Sequence, residues 1–164
     1  MDDLSLTVES LYINCTDSQG KDFNELNLPQ HITKIKLPYY AKMPDLKNAV
    51  IAKFSELNYA LKIQSNADSN FKISASLNGT GICVQFGNIA NFAMDTLKLN
   101  DCYEHNVIER AVILLPTSST EKLFNTGNCA TFERVTAKKE FFSRQFKLPC
   151  CIFGIQVTGN KYDI

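Results

Sequence analysis

Apolar residues along the chain follow two rhythms, one of helices and one of strands. In MPDLKNAVIAKFSELNYALKI, residues 43–63, Leu46, Val50, Phe54, Leu57 and Leu61 recur at spacings of four, four, three and four. Those spacings put them on one face and predict an amphipathic helix. Pro44 suits its first turn, where a missing N–H costs nothing. The polar run SNADSN supplies turn residues. FKISASL and ICVQF then flank NGTG, which reads as a β-hairpin. Ile89, Phe92, Ala93 and Leu97 predict a second amphipathic helix over 89–99. RAVILLPT and LPCCIFGIQV are continuous apolar runs, as expected of strands buried on both faces. Between them, Ser118-x-x-Glu121 has the capping-box spacing of a short helix, and ATFERVTAKKEFF reads as another helix. Earlier, LSLTVESLYIN fits a strand or a short helix, and HITKIKLPYY reads as an extended segment running into Pro38. Helices alternate with a hairpin and buried strands. The fold class is therefore α/β, a mixed sheet flanked by helices, because the hairpin is antiparallel while the later strands need helical crossovers.

Composition narrows the class. With 164 residues, 45% hydrophobic and 21% charged, the chain suits one globular domain over 1–164 with a real core. No apolar run approaches the roughly 18 residues that span a bilayer, so no membrane partner is expected. MDDLSLTVES is acidic where a secretory leader is basic, which makes the cytoplasm the expected compartment. The six cysteines are scattered without a C-x-x-C, and they read as reduced, mostly buried thiols. Cys102-x-x-His105 has the spacing of half a zinc site, with no second half in the sequence. Formal net charge is zero. Lysines gather at Lys34, Lys36, Lys42, Lys47 and Lys53, and a second basic group is Lys138, Lys139, Arg144 and Lys147. From charge alone these are two solvated faces.

The series VQFGNIANFAMDTLKL, RAVILLPT, TFERV, EFFSRQF and LPCCIFGI resembles the BglII/BstYI type of restriction endonuclease, within the PD-(D/E)XK nuclease superfamily. The resemblance spans about 44–157. It implies a restriction-endonuclease-like core and a homodimer that grips palindromic double-stranded DNA. It further implies hydrolysis of one phosphodiester per strand with magnesium. In that family the first hairpin strand carries an Asp and the second Glu-x-Gln. Placed on this chain, the three positions fall on Ser74, Cys83 and Gln85, and only Gln85 matches. The resemblance also implies DNA contacts at Gly87, Asn88 and Asn91, beyond the second strand, with Lys138, Lys139 and Arg144 as phosphate contacts. Asn suits bidentate readout of adenine, although Asn88 equally suits a helix N-cap.

The substitutions bear directly on chemistry. Magnesium takes hard oxygen ligands and sheds water reluctantly. A serine hydroxyl is a neutral ligand, and a cysteine sulfur is soft. The acids Glu56 and Asp68 are alternative metal ligands, with Glu56 also a catalytic alternative on the preceding helix. Both of these, and Asp95 on the following one, read more simply as solvated surface acids. Cys83 as a nucleophile would need a base, and only His31 and His105 exist, so it reads as a packed strand cysteine. The expectation is a DNA-binding nuclease fold with cleavage impaired or lost. The alternatives are an active endonuclease with shifted carboxylates, and a scaffold or dimerisation domain without DNA function.

Overall fold

A computed structural model describes residues 3–159. Its centre is a six-stranded sheet in the order β1-β6-β5-β4-β3-β2, formed by β1 (Ser5–Ile13), β2 (Ala60–Gln64), β3 (Lys72–Leu77), β4 (Thr80–Val84), β5 (Arg110–Pro116) and β6 (Cys150–Thr158). β4, β5 and β6 are parallel, and β1, β3 and β2 pair antiparallel. The expected mixed sheet is therefore present. The ambiguous N-terminal run LSLTVESLYIN is the edge strand β1.

Period-two alternation divides the core between the two faces of the sheet. Ile82, Val84, Val112, Leu114, Cys151 and Phe153 point to one side. There they meet α1 (Asp17–Glu25), α2 (Leu28–Ile32) and α3 (Met43–Glu56) through Phe23, Ile32 and Phe54. Cys83, Ala111, Ile113, Cys150 and Ile152 point to the other. That side is covered by α4 (Ile89–Glu104), α6 (Phe132–Thr136) and the segment after α7 (Lys139–Ser143) through Phe92, Leu99, Val135 and Phe146. The short α5 (Ser118–Leu123) follows β5. Five of the six free cysteines are buried and Cys15 is half-buried, as their scatter suggested.

Several boundaries differ from expectation, each for a local reason. The helix over 43–63 ends at Glu56, because Asn58 turns left-handed (φ 61°) and the Tyr59 amide closes onto the Phe54 carbonyl at 3.0 Å. Leu61 therefore lies on β2, outside the helical stripe its spacing suggested. α4 continues to Glu104, and it turns Phe92, Asp95, Thr96, Leu99 and Cys102 inward, leaving Ile89, Ala93 and Leu97 outside. Its buried polar groups are bonded: Thr96 Oγ1 donates to the Phe92 carbonyl, and Asn100 binds the Gln145 carbonyl and the Lys147 amide. The N-cap of α5 is Thr117, not Ser118, and Glu121 instead accepts from the Cys129 amide at 2.9 Å. ATFERVTAKKEFF breaks into α6 and α7, whose anchors, Phe132 against Gly154 and Phe142 against Phe92, lie in different places. HITKIKLPYY begins in α2, and only its later part is extended, with Leu37 bridged to Leu4.

Gly154 sets how closely α6 approaches the sheet, since a Cβ there would lie 2.5 Å from Phe132 Cγ. Gly154→Ala is expected to destabilise the fold by about 1–3 kcal/mol, the range for overpacking a core. Urea unfolding checks this as a lower midpoint with an unchanged m-value.

Candidate active-site cleft

The hairpin turn Asn78–Gly79 (φ 48° and 72°) matches the twist of β3 and β4, which pair from Leu77↔Thr80 to Ala75↔Ile82. Beyond that the ladder stops. The Val84 amide donates to Ser74 Oγ at 3.0 Å instead of to a backbone carbonyl of β3. On the far side of β3, Lys62 takes a left-handed conformation (φ 55°) between the pairs Leu61↔Ala75 and Ile63↔Ile73. Inward alternation reverses here: Ala75 packs on one face of the sheet and Ile73 on the other. β3 thus twists away from β4 at Ser74. The gap is a cleft of about 810 Å³, walled by α3, the ends of β2–β4 and the start of α4.

Ser74, Gln85, Gly87 and Asn91 line the cleft, so the structure brings together four of the positions singled out in the sequence. Gln85 is buried and fully engaged. Its Nε2 donates to Asp95 Oδ2 at 2.7 Å, and its Oε1 accepts from the Gly87 amide at 2.9 Å. Asp95 Oδ1 in turn meets Lys98 Nζ at 3.0 Å. Cys83 lies beneath this network, 2% exposed. Burial holds its thiol well above the ordinary range, with the nearby Asp95 charge adding to the rise and Lys98 partly offsetting it. Cys83 is therefore protonated at neutral pH, and its packed-cysteine reading holds. Asn88 is exposed and caps α4, its Oδ1 accepting from the Ala90 amide at 2.8 Å.

The remaining candidates lie elsewhere. Glu56 is exposed and ion-paired with Lys53, and Asp68 is exposed in the β2–β3 loop with its amide bonded to Asn66 Oδ1. Neither lines the cleft. Lys139 opens α7, Lys138 and Arg144 cap it, and all three lie outside the cleft. Asn14 binds the Ser143 and Phe146 carbonyls, tying this segment to the start of β6, whereas the cleft opens at the other end of the parallel strands. His105 contacts Asp101 and Asn66 rather than any zinc-type cluster.

The structure corrects the reading of Asp95 and adds cleft residues that the sequence pattern does not single out. Asp95 is not a solvated acid: it is buried and holds Gln85 in place. Its signal was its place on the Phe92–Asp95–Thr96–Leu99 period of the inward helix face. Lys62, Lys72 and Lys98 join Lys47 on the cleft wall. Only Lys47 belonged to a basic cluster in the sequence, because the other three converge through folding alone.

This donor set does not fit a magnesium ion. Ser74 offers one neutral hydroxyl, Cys83 is a buried protonated thiol, and Asp95, the one carboxylate that the described residues place there, is already bonded to Gln85 and Lys98. Among the described residues no group of three or more His, Cys, Asp or Glu is placed to hold a metal.

A splayed hairpin, a glutamine at its mouth and a following helix that closes the cleft define the site of a restriction-endonuclease-type fold. A sequence model described as "Restriction endonuclease BglII/BglIII" matches residues 24–155, and the chain belongs to that family. Among solved structures it is similar to "restriction endonuclease BGLII complexed with DNA 16-mer", with a TM-score of 0.74 and 12% identity over 90% of this chain and 77% of that one. It is also similar to "free BglII", with a TM-score of 0.62 and 13% identity over 90% and 78%. No curated protein sequence matches it. Among the described residues no helix is long and apolar enough to cross a membrane.

Burial gives a test of the Cys83 environment. Of the six thiols, only the half-buried Cys15 is expected to react promptly with a water-soluble aromatic disulfide at pH 8. Loss of the fast phase in Cys15→Ser checks this, and a persisting fast equivalent that disappears in Cys83→Ser would contradict the described packing.

Proposed function

We propose that the chain binds double-stranded DNA in this cleft as a homodimer, and that its cleavage activity is impaired or lost. The observation that carries the reading is the charge of the cleft: four lysines, Lys47, Lys62, Lys72 and Lys98, line it against one carboxylate, Asp95, which Lys98 already compensates. Such a wall suits a phosphodiester backbone. Asn91, exposed at the rim, is the candidate for base readout, and Gly87 for close approach of the DNA backbone.

Electrostatics support binding without a metal. A carboxylate about 4 Å from a phosphate costs on the order of 4 kcal/mol at an effective dielectric of 20. Ser74 and Cys83 remove that repulsion at both motif positions. The same replacements remove the ligands that would bring a magnesium ion to activate water and neutralise the phosphate in flight. The alternative of shifted carboxylates is disfavoured by the placement of Glu56 and Asp68 outside the cleft. The free thiols accord with a reducing cytoplasm.

A dimer suits a twofold-symmetric target: one cleft per chain would meet one strand, and two copies related by a twofold axis would meet both. The outer ridge of α4 supports this, with Ile89 and Leu97 left 40% and 55% exposed on either side of Ala93. The chain is expected to sediment at twice its 18.4 kDa mass. Leu97→Glu is expected to yield a folded monomer, and an unchanged dimer would exclude this ridge as the interface.

Incubation with mixed-sequence plasmid and magnesium or manganese is expected to leave the DNA intact, and short duplexes are expected to bind equally well in a chelator. Discrete fragments from the unaltered protein would overturn the impaired reading, and no binding at low salt would leave only the scaffold alternative. Ser74→Asp with Cys83→Glu is the restoring pair. A folded, DNA-binding double variant is expected to cut only with metal, and if it stays inert the motif placement is wrong.

A further inference from the structure

The strip between α2 and α3, residues 33–42, reads TKIKLPYYAK. Its burial alternates: Ile35, Leu37 and Ala41 are buried, whereas Lys34, Lys36, Tyr40 and Lys42 are exposed. The buried members fix the strip in place. The Leu4 amide donates to the Leu37 carbonyl at 2.8 Å, and the Ala41 amide to the Pro38 carbonyl at 2.9 Å. Tyr40 is 67% exposed, more than any other large apolar side chain described, and its ring stands edge-on to Tyr39 at 5.4 Å. No Asp or Glu occurs between Glu25 and Asp45, so Lys34 and Lys36 have no acid near them along the chain, while Asp45 Oδ2 accepts from the Lys42 amide at 2.8 Å.

The strip runs directly into the cleft. Lys42 is the N-cap of α3, the next two residues, Met43 and Pro44, line the cleft, and Lys47 lies about one turn further on. Consecutive Cα atoms are about 3.8 Å apart, so Tyr40 can lie no further than about 11 Å from Met43. A fixed row of ammonium groups beside one exposed tyrosine, Tyr40, fits a sugar–phosphate backbone: lysines meet phosphates, and the tyrosine lays its ring on sugar and donates its hydroxyl.

We propose that residues 34–42 form a second contact surface for the backbone of duplex DNA flanking the base pairs held in the cleft. The proposal rests on the DNA-binding reading above. Nothing in the strip reads bases, so its contribution is independent of sequence. It depends on duplex length, because DNA that ends at the cleft cannot reach it.

The test compares Lys34→Ala/Lys36→Ala/Lys42→Ala, with and without Tyr40→Ala, against the unaltered protein on mixed-sequence duplexes of about 12 and about 30 base pairs. All four side chains are exposed, so the variants should keep the unaltered urea midpoint. For the longer duplex, the triple variant is expected to bind at least tenfold more weakly. Its plot of log affinity against log salt should be shallower by about two to three units, at about 0.9 for each phosphate that is no longer neutralised. For the shorter duplex, variant and unaltered protein are expected to bind alike, whereas Lys62→Ala/Lys72→Ala weakens both lengths. Equal binding of the longer duplex by variant and unaltered protein would overturn the strip and leave the cleft reading intact. Equal weakening at both lengths would also overturn it, since the lysines would then act only through the overall field. If polyglutamate binds as tightly as duplex, and the variant loses it equally, the partner is an acidic polypeptide and the proposal fails. If the unaltered protein binds neither duplex, the cleft reading and the strip fall together.

Discussion

One hydrogen bond decides where the cleft can exist. β3 and β4 leave the hairpin turn as a regular ladder and separate where Ser74 Oγ, rather than a β3 carbonyl, receives the Val84 amide. A buried amide without a partner costs about 1–3 kcal/mol, and the Ser74 hydroxyl offsets that cost where the strands part. The left-handed Lys62 lets β2 follow β3 through the same twist. Everything in the site hangs on that parting. It leaves Gln85 on the cleft wall and gives α4 a place to start across the gap.

Around the gap the chain has built a polar network that is complete without any ion. Gln85 spans from the Gly87 amide to Asp95, and Asp95 spans from Gln85 to Lys98. Among the described residues no buried side-chain N or O atom lacks a partner. A buried acid is tolerable only when paired, and Lys98 supplies the pairing one helical turn along. An ammonium group thus sits beside the only acid that the described residues place on the cleft wall, and three further lysines leave the wall cationic although the whole chain is neutral.

Much of this was legible in the sequence. Continuous apolar runs marked β5 and β6, the Asn-Gly turn marked the hairpin, and the family resemblance pointed to Ser74 and Gln85, which the fold places on the cleft wall. What sequence periodicity misread was the inward face of α4. Ile89, Ala93 and Leu97 are apolar and look inward on a wheel, yet the helix buries Asp95, Thr96 and Asn100 because each finds a bonding partner. Hydrophobicity ranks residues by what water refuses, and it cannot see a partner supplied by Gln85 or by the Gln145 carbonyl. The same blindness hid Lys62 and Lys72, which are remote from Lys47 and Lys98 along the chain and reach one wall only after the sheet assembles. Leu61 erred in the opposite sense: it continued a helical spacing past Asn58, whose left-handed turn had already ended the helix.

The bond at Ser74 has an evolutionary corollary. The position at which the family resemblance implies an acid is also the position where the sheet takes a side-chain acceptor one or two bonds from the backbone. Aspartate, asparagine, threonine and serine all supply one, whereas alanine or leucine would close or unsettle the mouth of the hairpin. Exchange within the first set can remove the chemistry while leaving the architecture untouched. A lineage can therefore drift out of catalysis and keep an open, preformed groove available for another use.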